Sequence, residues 1–194
     1  MNLLTCFVRT TQRDLIINIL SEYSGIQTVI KDAPVTGPIR EVLIDVLRPP
    51  SLYIVNGNSE WIVIEVNSLM KLYELGSIIS RRLDTVFLQT IYCQAIGYAC
   101  FILYEKGGLM REVESVGCKE IPDVNRGRLL EFEYEGDVSY FDLDMIVSYC
   151  QDLGIDVGNI YDQQSCTVLQ QAGVLPMVNL DQEQELCRLF FPKG

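Results

Sequence analysis

Residues 60–116 read EWIVIEVN, SLMKLYELGSIISRRL, TVFLQTIY and GYACFILYEKGGLMREVESV, with Asp84 and the corner CQAI between the segments. The first, third and fourth segments are dense in β-branched and aromatic residues, which suit a pleated, half-buried surface. The second places Leu69, Leu72, Gly76, Ile79 and Leu83 at helical spacing. The order is therefore strand, helix, strand, strand, tight turn, strand. It predicts an α+β protein with a mixed, largely antiparallel sheet built around strands near 60–66, 86–92, 98–105 and 109–116, with helices packed on it. Asn67 or Ser68 is the expected cap of the central helix, and Arg81 and Arg82 suit the dipole at its end. Gly76 costs about 1 kcal/mol against alanine inside a helix, so its use there is close approach to the sheet. Gly107-Gly108 turns the chain into 109–116. There Glu112 and Glu114 share one side, and the strand is expected to be wetter than its neighbour.

Upstream, Leu3 to Arg9 reads as a strand. Residues 12–24 come next as a helix with Ile16, Ile19, Leu20 and Tyr23 on one face. Thr11 and Asp14 approximate a capping box, and Gly25 suits the position after the last turn. Ile26 to Ile30 fits a short strand. Residues 38–48 carry helical periodicity and strand-like β-branching; the periodicity favours a helix, ended by Pro49-Pro50. Leu52 to Val55 and Glu60 to Val66 flank Asn56-Gly57 as a hairpin.

Downstream, 117–127 reads as a polar loop. Leu130 to Glu135 then alternates strictly, with Leu130, Phe132 and Tyr134 on one side and Glu131, Glu133 and Glu135 on the other. As a strand, this puts three carboxylates roughly 7 Å apart along one face, too widely spaced to chelate one ion unaided. The row is either a solvated outer face that discourages edge-to-edge pairing or a docking surface for a basic partner. A third helix runs from Asp142 or Asp144 to Gly154. Residues 163–172 and 181–190 read as two more helices. The chain is expected to form a single compact domain over 1–194, with a possible strand–helix duplication dividing it at 58/59.

The charges are 26 acidic against 15 basic residues, a net of −11. A phosphate backbone is bound largely through Lys and Arg, so nucleic acid is not an expected partner. Anionic membranes are disfavoured for the same reason, and the longest apolar run, Ile96 to Tyr104, is about half a membrane span. A basic protein is electrostatically reasonable. Seven cysteines, odd in number and without a C-x-x-C pair, read as buried reduced thiols, which fits a cytoplasmic protein.

The chain has no histidine. Ser-His-Asp and Cys-His catalysis are thereby excluded. No phosphate loop, dinucleotide fingerprint, nucleophile elbow or calcium loop occurs. No catalytic residue, metal site or cofactor is expected. The reading is a non-enzymatic binding module, acting as neutraliser, adaptor or regulator, with Glu131, Glu133 and Glu135 meeting the partner. A small-ligand sensor is the alternative, its pocket lined by Tyr92, Tyr98, Tyr104 and Arg81 or Arg82. An enzyme working without histidine is a third and weaker reading. A small acidic α+β protein of this layout looks like many bacterial immunity or antitoxin-type proteins. The likeness is one of composition and architecture, with no motif behind it.

Overall fold

A computed structural model describes residues 2–34, 48–57, 60–117, 121–135, 140–157 and 165–171. The elements are β1 (Asn2–Arg9), α1 (Arg13–Ser24), β2 (Thr28–Pro34), β3 (Leu52–Asn56), β4 (Trp61–Val66), α2 (Tyr73–Arg82), β5 (Val86–Cys93), β6 (Tyr98–Glu105), β7 (Gly108–Val116), β8 (Val124–Gly127), a turn of 3-10 helix (Glu131–Glu135), α3 (Leu143–Asp152) and β9 (Ser165–Gln170). The strands form one nine-stranded sheet in the order β2-β9-β3-β4-β1-β5-β6-β7-β8. Every neighbouring pair is antiparallel. Most of the sheet therefore comes from the segments that carry the predicted strands, and the architecture is α+β with the sheet dominant.

Alternation along each strand divides the core in two. On one face Leu4, Cys6 and Val8 of β1 pack with Ile62 and Ile64 of β4, Phe87 and Ile91 of β5, and Cys100 and Ile102 of β6. Helices α1 and α2 cover that face through Ile16, Ile19, Leu20, Leu75 and Ile79. On the opposite face Leu3, Phe7, Leu88, Phe101 and Val113 are covered by Ile146, Tyr149 and Cys150 of α3. β5 and β6 are thus buried on both sides, which is why their sequences read as continuous apolar runs.

Gly76 of α2 packs as its sequence context suggested. A Cβ there would lie 2.9 Å from the rings of Phe87 and Tyr104. The helix begins later than predicted, with Leu72 rather than Asn67 or Ser68 at its cap. Asn67 instead accepts from the amides of Ser51 and Leu52 through Oδ1, both at 3.0 Å, and the Ser68 hydroxyl donates to the Arg48 carbonyl at 2.6 Å. Short polar side chains compete for nearby backbone, and here the competing backbone belongs to β3 and the residues before it. The Thr11–Asp14 box does not form either; α1 has no side-chain cap.

Three other expectations are corrected. Residues 165–170, read as helical, form β9 between β2 and β3. Cys166 and Val168 pack with Leu52 and Ile54 on one side, while Leu169 faces the α1–α2 core. Two available strand edges outweigh a weak local helical preference. Residues 124–127 of the predicted loop form β8, paired to β7. Residues 131–135 are a 3-10 turn instead of a strand. The predicted helices at 38–48 and 181–190 lie outside the described residues, apart from Arg48.

Candidate functional site

The site grows from β7 and from the segment after β8. Between β6 and β7 the register slips: Leu103 pairs with Arg111, and Tyr104 with Leu109. The extra residue is Met110. The slip breaks alternation: Met110 and Arg111 both lie on the α3 face, between Leu109 and Glu112 on the α2 face. Such a bulge re-aims side chains and strengthens local twist. Gly127 makes room for it. Its φ is +95°, and a Cβ would stand 2.9 Å from the Met110 carbonyl carbon and 3.0 Å from the Arg111 Cα. The Arg128 amide then donates to the Met110 carbonyl at 2.8 Å.

Arg111 is the largest fully buried side chain among the described residues. Its Nε donates to both Glu133 oxygens at 3.0 and 2.9 Å, and Nη2 donates to Oε1 at 2.6 Å. Nη1 donates to the Arg126 carbonyl at 3.0 Å. Both side chains of the pair are 0% exposed. Glu133 also accepts from the Tyr149 hydroxyl at 2.9 Å and the Leu130 amide at 2.8 Å. Burial by itself would raise the Glu133 carboxyl; Arg111, the Leu130 amide and the Tyr149 hydroxyl outweigh it and hold the group below the usual range. Tyr149 sits among Phe101, Phe132 and Phe141, with centroids 5.1, 4.9 and 5.7 Å away and edge-on geometry.

On the other face of β7, Glu112 accepts from Lys71 Nζ at 3.0 Å, the Tyr73 hydroxyl at 2.7 Å and Arg126 Nε at 2.6 Å. Lys71 also bonds Glu114. The Glu112 side chain is 1% exposed. The rims of β7 are open, but the carboxylates expected on a wet face are covered, because Lys71 and Arg126 reach across and neutralise them. Burial pushes Glu112 up; Tyr73, Lys71 and Arg126 more than reverse this.

The three predicted docking carboxylates do not share one outward face. Glu131 is exposed, Glu133 is enclosed, and the side chain of Glu135 lies outside the described ones. The tyrosines of the predicted pocket are divided by the sheet: Tyr98 and Tyr104 pack with the α1–α2 core and Tyr92 with the α3 core. Arg82 pairs with Glu22 at 2.6 Å. The described cysteines, Cys6, Cys93, Cys100, Cys150 and Cys166, are buried and free. Burial pushes the Cys100 and Cys150 thiols up to about 12, the reverse of activation.

Charge is divided unevenly along the chain. Residues 1–128 hold fourteen acids and thirteen bases, whereas 129–187 hold twelve acids and no Lys or Arg. Among the described residues, the ion pairs of the first block are internal, Arg9–Glu60, Lys31–Asp14, Lys71–Glu112, Lys71–Glu114, Arg82–Glu22, Lys106–Asp84 and Arg126–Glu112, apart from Arg111–Glu133, which joins the two blocks. The second block has no base of its own. Its exposed carboxylates include Glu131 and, on α3, Asp144 and Asp152. The two on α3 are eight residues and about 12 Å apart along the helix, with Ser148 exposed between them. Tyr140, 50% exposed, lies before the helix. The chain matches no protein-family model, no curated protein and no solved structure at a significant level.

Proposed function

We propose that the protein is a non-enzymatic binding module that offers the outer surface of α3 and the preceding 3-10 turn to a basic protein. The observation that carries this reading is the charge division: the negative excess falls in a block without a single base, and α3 turns its carboxylates outward. Such a surface speeds encounter with a cationic partner and repels anionic ones. Glu131 keeps the docking role read from the sequence, Asp144 and Asp152 join it, and Glu135 travels in the same segment. Glu133 acts from inside, by holding that segment. The Arg111, Glu112 and Glu133 side chains on and beside β7 all have protein partners, and burial drives the Cys100 and Cys150 thiols away from the thiolate; both support a binding role over a catalytic one.

The test is the triple variant Glu131→Lys, Asp144→Lys, Asp152→Lys. Stability should change by less than about 0.5 kcal/mol, as for surface changes in general. Asp144 lies in the first turn of α3 and Asp152 in the last, so the two helix-dipole effects oppose each other. Wild-type protein should recover a basic protein from host lysate at low salt and lose it as salt rises. The folded triple variant should recover none. Equal recovery by both removes the docking role.

A further inference from the structure

Residues 130–135, LEFEYE, carry the two-residue alternation of a half-buried strand. They come after β8, which lies at one end of the sheet order. Both facts favour an extended segment, yet 131–135 form a 3-10 turn. The residue that departs from the alternation is Glu133, a carboxylate drawn inward where the pattern assigns it to solvent. Arg111 meets it there because the Met110 bulge turns Arg111 to the α3 face. The two arrangements differ in what they display. A strand would set Glu131, Glu133 and Glu135 on one side; the 3-10 turn leaves Glu131 outside and Glu133 enclosed.

A buried ion pair is a weak source of stability. The cost of removing both charges from water offsets most of their attraction, and an apolar pair of similar volume often serves the fold as well. What such a pair can supply, in some proteins, is selectivity, because few geometries satisfy it. Here the geometry is narrow: both Glu133 oxygens are engaged by Arg111, and the Leu130 amide and Tyr149 hydroxyl take the remaining directions. Any shift of 131–135 to an extended path would strand a buried guanidinium. We infer that the Arg111–Glu133 pair is a conformational lock. It holds a strand-patterned segment in a 3-10 turn, and so decides which carboxylates the acidic surface presents. The lock is independent of any partner; its consequence for capture rests on the function proposed above.

The test replaces both partners in the full chain, Arg111→Met with Glu133→Met, keeping length while removing charge. Native-state hydrogen exchange is read in two places, at 129–135 and at the core strands β1, β5 and β6. Exchange should accelerate at least about tenfold in 129–135, while the core strands stay protected and Tm moves by no more than a few degrees. Unchanged protection of 129–135 overturns the inference. So does loss of protection throughout the sheet, which would make the pair a prop for the entire fold. Tyr149→Phe gives a second reading that leaves both charges of the pair in place and removes one bond to Glu133. It should produce a smaller acceleration confined to the same segment, and no acceleration there counts against the lock. A loosened double variant that still captures a basic protein as wild type does would keep the lock and break its link to capture. A wild type that captures none would remove the proposed function and leave the exchange result standing.

Discussion

At the scale of single residues, Glu112 shows how a carboxylate can be buried on a strand that lies one in from the end of the sheet. Lys71, Tyr73 and Arg126 converge on its two oxygens, so the charge leaves water without being left alone. Glu112→Gln should cost about 1–3 kcal/mol by urea unfolding, because Lys71 keeps Glu114 and Arg126 can turn to solvent. The pH dependence has a definite sign. Glu112 and Glu133 both titrate lower in the folded chain than the roughly 4.3 of an unfolded glutamate. The native state therefore binds fewer protons than the unfolded state in that window. Their contribution is complete above about pH 5 and is lost as pH falls through the folded values. Stability measured from pH 6 down to pH 3 should fall, and it should fall less steeply in Glu112→Gln. An equally steep loss in the variant would mean that Glu112 carries none of the acid sensitivity.

At the scale of elements, close approach decides more than propensity does. Alanine at position 76 would improve the helical preference of α2 by about 1 kcal/mol if the site were open. The site is closed by the rings of Phe87 and Tyr104, which would have to move for a Cβ to fit. Overpacking of this kind costs about 1–3 kcal/mol, so Gly76→Ala should be net destabilising, with a lower Tm in a thermal melt. A rise in Tm would show that the rings yield freely. The turn of 3-10 helix obeys the same logic. Its alternation is real, but a local pattern cannot register an arginine that a bulge some twenty residues earlier has turned inward. The helical reading of 165–170 failed similarly, because two strand edges far away in sequence were waiting for it.

At the scale of the whole molecule, the described thiols report on global opening. Cys6, Cys93, Cys100 and Cys166 lie in strands of the sheet and Cys150 on the inner face of α3, and those at 100 and 150 have thiols raised to about 12. Iodoacetamide at mildly alkaline pH should leave these cysteines unmodified in the native protein and modify all of them in urea, as read by mass spectrometry of peptides. Rapid native labelling of any one would place it in a region that opens without unfolding. Among the described residues no helix is long and apolar enough to cross a membrane. Local pattern was enough to read the α+β class, the strands of 60–116, α1, α3 and the place of Gly76. Period and turn chemistry act over a few residues and need no distant partner to be read. Long-range contacts alone made 165–170 a strand, turned Glu133 inward and covered Glu112. Each of those depends on pairing or charge neutralisation between residues far apart along the chain, where burial sets the energy and local pattern has no say.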